Sequence, residues 1–109
     1  MHELALTEDL VELIGERFAG RRVTRVVLEV GKLAAVVPDA FRFCFGLCAE
    51  GTVAAGAELD IIETRGDARC RGCGAAFEVD GFLAICACGS SDLELSGGDG
   101  LRLKAVEVL

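Results

Sequence analysis

Leu4, Val11, Ile14 and Phe18 recur at helical spacing, and Leu10 and Leu13 widen the stripe. Thr7, Glu8, Asp9, Glu12 and Glu16 fill the opposite side, so residues 1–20 are predicted to form an amphipathic helix. Its acids lie early and Arg17 lies late, as the helix dipole favours, and Gly20 is the stop. From Val23 to Leu33 the period falls to two: Val26, Leu28 and Val30 face one way, and Arg25, Val27 and Glu29 the other. That is a half-buried strand. Pro38 and Asp39 open a second helix, on which Phe41, Cys44, Phe45 and Cys48 fall at i, i+3, i+4 and i+7, and Gly51 ends it. Residues 57–64 form a second strand, with Leu59 and Ile61 inward and Glu58 and Asp60 outward.

After the polar turn Thr64-Arg65-Gly66-Asp67 the pattern breaks up. Ala76-Phe77-Glu78-Val79 and Phe82-Leu83-Ala84-Ile85 flank Asp80-Gly81, a hairpin signal. Ser96-Gly97-Gly98-Asp99-Gly100 reads as a flexible return, and Leu101 to Leu109 as a last strand rejoining the first sheet. The expected fold is α+β: a small sheet with two helices, plus an inserted zinc-ribbon-like unit. The body is residues 1–64 with 99–109, and the insert is residues 65–98.

The insert is too small to hold a core unaided, and its cysteines supply a reason for it to fold. Cys70 and Cys73 make a CxxC, and Cys86 and Cys88 make a CxC twelve residues later. Two close thiolate pairs suit a tetrahedral Zn²⁺, each loop giving two sulfurs, and Gly72, Gly74 and Gly89 suit the turns around it. The alternatives are a dithiol/disulfide couple or four incidental buried thiols. Cys44 and Cys48 share a helical face with Phe41 and Phe45, and are read as small apolar fillers without a metal role.

Composition narrows the partners. The 109-residue chain is 52% hydrophobic, ample for one core, yet has no tract long enough to cross a bilayer. Met1-His2-Glu3 lacks the basic start of a signal peptide, which points to the cytoplasm and no membrane partner. Eighteen acids against eleven bases leave a net charge of −7, which argues against binding a phosphate backbone.

His2 is the only histidine in the chain. The Met1 amine, the His2 amide nitrogen and the His2 Nδ1 can close a five- and a six-membered chelate ring around one ion. Three nearly coplanar nitrogens, one of them a deprotonated amide, suit Ni²⁺ or Cu²⁺, and Glu3 can complete the site through its backbone nitrogen or its carboxylate. Spacing alone favours the plainer alternative, an exposed histidine on a frayed terminus.

The order of these pieces is more specific than any one of them. Met1-His2-Glu3, Val23-Thr24-Arg25-Val26, Phe43-Cys44-Phe45, the Cys70 and Cys73 pair, Cys88-Gly89-Ser90, and Gly100-Leu101 leading to Val106-Glu107-Val108 span the whole chain. Together they resemble the HypA/HybF family of hydrogenase maturation nickel metallochaperones. The resemblance implies nickel binding at His2, assisted by Glu3 and by backbone nitrogens near Met1. It implies a structural zinc on Cys70, Cys73, Cys86 and Cys88, and it matches Asp39 to an acidic position beside the nickel site. The implied partners are a maturation GTPase and the hydrogenase large-subunit precursor. The family's second pair is normally CxxC, whereas residue 85 here is isoleucine.

Two other functions compete with this one. A zinc-ribbon module contacting nucleic acid or transcription proteins calls for a basic face with aromatics, and this acidic chain has no Tyr or Trp. A thiol oxidoreductase using Cys70 and Cys73 calls for a βαβ setting and a helix N-terminus at the pair. No serine/histidine or paired-carboxylate constellation supports hydrolysis, so the chain is expected to be a carrier and not an enzyme.

Overall fold

The structure, a computed structural model, describes residues 2–81 and 84–109, with His2 described by its backbone alone. The elements run α1 His2–Arg17, β1 Val23–Gly31, α2 Pro38–Ala49, β2 Glu58–Thr64, β3 Gly66–Cys70, β4 Ala76–Val79, β5 Leu93–Ser96 and β6 Leu101–Val108. They form two three-stranded sheets, ordered β2-β1-β6 and β4-β3-β5. The chain divides into two compact units, residues 1–28 with 36–61 and 103–109, and residues 29–35 with 62–102.

In the first unit α1 packs on α2. Leu10, Val11 and Ile14 of α1 are buried, as are Phe41, Cys44, Phe45 and Ala49 of α2, so both apolar stripes face inward. Thr7 departs from the polar side expected for it: it is fully buried. Its hydroxyl donates to the Leu4 carbonyl at 2.8 Å and lies 3.5 Å from Cys48 Sγ, which is how a hydroxyl is tolerated among apolar groups. Val27, expected to face outward on β1, is buried as well, so both faces of that strand are covered. Arg25 bridges the flanking strands, pairing with Asp60 of β2 and, at 2.6 Å, with Glu107 of β6. Those carboxylates, Asp60 first, hold its pKa above the ordinary arginine value. Pro38 opens α2 as expected, and Gly51 follows its end at φ +75°, the left-handed geometry of a glycine stop.

The second unit holds two strands that the hydrophobic pattern did not show, β3 and β5. β3 lies between β4 and β5 and is antiparallel to both, with Ala68 opposite Phe77 on one side and Leu95 on the other. Among the described residues the partner of β4 is therefore β3, and the second strand of the hairpin expected across Asp80-Gly81 falls partly on residues outside those described. Ala84 and Ile85 are outside any strand, while Phe82 and Leu83 lie outside the described residues. A small core of Leu33, Ala68 and Val79, flanked by Phe77, Ala84 and Leu93, fills this unit.

The return through residues 96–100 is seated tightly, contrary to the flexible segment expected. Leu33 N–H donates to the Gly98 carbonyl at 2.7 Å, and Gly31 N–H to the Gly100 carbonyl at 2.8 Å. A Cβ on Gly31 would meet Gly98 O at 1.9 Å, and one on Gly98 would meet Gly66 N at 2.5 Å. These glycines are there because backbones cross too closely for side chains.

Candidate metal centre

Two stitched loops bring the four cysteines of the second unit together. Cys70 ends β3 and its N–H donates to the Ala75 carbonyl, while Gly74 N–H donates back to the Cys70 carbonyl, both at 2.8 Å. The second loop closes in the same manner: Cys86 N–H donates to Ser90 O at 2.9 Å and Gly89 N–H to Cys86 O at 2.8 Å. Gly74 and Gly89 adopt φ +79° and +93°, conformations costly for other residues. Gly72 does not, and a Cβ there would make only ordinary contacts. Arg71 joins the loops, its N–H donating to Asp92 O at 3.0 Å and its guanidinium pairing with the Asp92 carboxylate at 2.9 Å.

The result is a compact sulfur cluster. Cys73 and Cys86 Sγ lie 3.5 Å apart and Cys70 and Cys88 Sγ 3.7 Å apart, and all four sulfurs fall within 4.8 Å of one another. None is in a disulfide. Tetrahedral Zn–S bonds of ~2.3 Å require sulfurs ~3.8 Å apart, so the cluster fits a four-thiolate ion. The one-residue CxC loop thus closes the set without a cysteine at position 85, and Ile85 is exposed. Cys70 and Cys86 are buried, and Cys73 and Cys88 are exposed.

The cluster shifts two of its thiols in opposite directions. The Cys73 amide, then the Gly72 amide and the neighbouring Cys88 and Cys73 thiols, stabilise a Cys70 thiolate against burial and lower its pKa from 9.0 to about 6. The Cys88 amide pulls Cys86 down, but burial and the surrounding Cys73, Cys88 and Cys70 groups outweigh it and push Cys86 up to about 12. Negative charge on one sulfur opposes charge on the next, and a divalent cation removes that conflict. A redox dithiol would sit at a helix N-terminus, but β3 ends in a turn that leads into β4.

The other candidates are placed as follows. Met1 lies outside the described residues, and His2 opens α1. Glu3 lies in the first turn of α1, and its Oε2 accepts the Val37 N–H at 3.2 Å, which ties the start of α1 to the start of α2. Asp39 is exposed in the first turn of α2, two residues beyond Val37. Cys44 is buried and Cys48 half-buried, and neither joins a metal-ligating group among the described residues.

Comparison with known proteins agrees with this arrangement. Residues 1–108 match a family model described as hydrogenase/urease nickel incorporation, metallochaperone, hypA. The hydrogenase maturation factor HypA of Trichormus variabilis is 47% identical over 108 residues, covering 99% of this chain and 96% of that protein. The HypA of Geotalea uraniireducens is 42% identical and covers 99% of both chains. Two solution structures share the fold. One is of a HypA protein at 26% identity, TM-score 0.67, covering 100% of this chain and 97% of that one. The other is of the nickel metallochaperone HypA from Helicobacter pylori at 24% identity, TM-score 0.65, covering 98% and 97%.

Proposed function

Since this chain belongs to the HypA family of nickel-incorporation metallochaperones, a family of maturation factors and not of enzymes, we propose that it carries Ni²⁺ on Met1, His2 and Glu3 and delivers it to the large-subunit precursor of a nickel-iron hydrogenase. The observation that carries this reading is the bond from Val37 N–H to Glu3 Oε2 at 3.2 Å. It holds the third residue of the chain at the start of α2, two residues before Asp39. The Met1 amine, the His2 amide and the His2 Nδ1 would supply nitrogens, and Glu3 or Asp39 an oxygen. Oxygen and imidazole donors in a nitrogen-rich set suit Ni²⁺ and leave Zn²⁺ to the thiolates.

Cys70, Cys73, Cys86 and Cys88 would hold Zn²⁺ as a cross-link that closes residues 70–88. The ion needs no open position there, because four thiolates fill a tetrahedron. The hydrogenase maturation GTPase is the expected collaborator in the cytoplasm. No helix among the described residues is long and apolar enough to cross a membrane.

The test is nickel titration of His2→Ala by calorimetry and by the square-planar absorption band, at equal zinc content. Nickel stoichiometry should fall from one to near zero while the zinc and the fold are retained. Acidification should release nickel from the wild type, since the ring must be neutral to bind and its reference pKa is ~6.5. Undiminished nickel binding by His2→Ala would refute the terminal site.

A further inference from the structure

The outer face of α2 is built for something to cover it. Phe43 is 69% exposed and Leu47 is 53% exposed, one helical turn apart on the same face. The inward stripe of α2 is already complete without them, since Phe41, Cys44, Phe45 and Ala49 are buried. Between Phe43 and Leu47 lies Gly46, also exposed. Its backbone is ordinary helix, and a Cβ there would have nothing within 4 Å. Nothing within the fold calls for glycine at that position, and glycine weakens a helix interior. What glycine does supply is a shallow gap flanked by two apolar side chains, into which another backbone can approach closely.

Charge indicates what approaches. Asp39 and Glu50 are exposed at the two ends of the Phe43–Leu47 stripe. Arg42 is the one base exposed on α2, and its guanidinium is engaged by the Leu59 carbonyl. A second copy of this chain would bring a net charge of −7 and the same acidic rim against it. That juxtaposition is repulsive.

We propose that the Phe43–Gly46–Leu47 face of α2 is the docking site for a different protein, one that lays an apolar segment flanked by Lys and Arg across Gly46. Such a helix-in-groove contact uses a few apolar anchors for affinity and the charged rim for orientation. Asp39 and Leu47 are ~12 Å apart along the helix, so the docked segment lies within reach of the start of α2. The link to nickel transfer rests on the carrier reading, whereas the docking face stands on exposure, glycine and charge alone.

The test replaces Phe43 with photoreactive p-benzoylphenylalanine in the full-length chain, in cells producing hydrogenase, and identifies the cross-linked segment by mass spectrometry. The expected product is a segment of another protein whose apolar residues are flanked by Lys and Arg. Gly46→Gln in the same background should cut that product at least tenfold. The same change should raise the thermal midpoint, because glutamine is the better helix former. Zinc and nickel stoichiometry should be unchanged, which separates failure here from failure of the terminal nickel site. A cross-link to a second copy, to an acidic segment or to nothing would overturn the proposal, and so would a cross-link that Gly46→Gln leaves intact.

Discussion

Gly31→Ala should be among the most damaging single-methyl additions in this chain. The new Cβ would sit 1.9 Å from Gly98 O and 2.1 Å from Gly98 C, both backbone atoms that cannot rotate away. To relieve the clash the 97–100 segment must move by about 1 Å, since contacts under 3.0 Å essentially never occur. Such a shift lengthens the bonds from Gly31 N–H to Gly100 O and from Leu33 N–H to Gly98 O, now 2.8 and 2.7 Å. Losing both costs about 2 kcal/mol. Drawing Leu33 partway out of its core with Ala68 and Val79 adds about 1 kcal/mol. A loss of about 3 kcal/mol is a large share of the 5–15 kcal/mol that small domains possess. Urea unfolding of the zinc-loaded protein, followed by circular dichroism, should show the midpoint falling by ~1–3 M. Gly46→Ala is the control: with nothing within 4 Å of the added methyl, its midpoint should rise. A Gly31→Ala midpoint within ~0.3 M of wild type would show that the crossing yields more easily than its distances indicate.

Two further predictions concern the cysteine cluster. Cys73→Ser removes one of four sulfurs, so metal analysis should show zinc falling from one per chain and limited proteolysis should open residues 70–88, while α1 and α2 keep their helical signal; retention of tight zinc would rule out the four-thiolate site. In the metal-free protein the two shifted thiols act in opposite directions: Cys70, lowered to about 6 from 9.0, makes stability rise with pH from about 6 to 9 and is lost as pH falls through 6, whereas Cys86, raised to about 12, makes it decline from about 9 to 12. Denaturation midpoints of the chelated protein should therefore peak near pH 9, and a flat profile across that range would contradict the assigned environments.

What was legible in the sequence follows the length of each repeating signal. α1 carries four turns of apolar stripe and β1 is a nine-residue run rich in valine, enough for each pattern to speak, and both elements appear where expected. β3 and β5 span five and four residues, and in β3 the buried positions are only Gly66, Ala68 and Cys70. Such strands are specified by their neighbours and by the loops the cysteines close, not by their own pattern. The Asp80-Gly81 signal carried no hint of β3, the described partner of β4, whose start Arg65 links to Glu78 and Asp80 at 3.6 and 3.1 Å. Thr7 reads as polar by residue type, but a hydroxyl bonded to the carbonyl three residues back can be buried, here beside Cys48 Sγ. The run Gly97-Gly98 reads as flexible to any composition rule, and only the positions of Gly31 and Gly66 reveal that it is a crossing. Among site residues the four cysteines were fully legible, while the Glu3–Val37 bond, which joins residues 34 positions apart, left no trace in local spacing.

The two sets of candidate ligands differ in the property that separates holding a metal from carrying one. Cys70, Cys73, Cys86 and Cys88 are four side-chain donors on two loops, each loop closed by its own backbone bonds and the pair stitched by Arg71 and Asp92. Losing an ion there strands a thiolate at Cys70 beside three other sulfurs, so release is opposed by the same crowding that polarised the site. At the start of the chain, by contrast, the proposed donors are largely the amine and amide of the backbone itself, with the imidazole of His2 and the carboxylate of Glu3. Glu3 Oε2 accepts the Val37 N–H, so its charge has a partner when the site is empty. A ligand that remains satisfied when empty lowers the penalty of release, and a recipient with a better-organised donor set can then draw the ion away. The expected consequence is asymmetry in exchange: a competing chelator should strip nickel from the terminus under conditions in which the cysteine cluster retains its zinc.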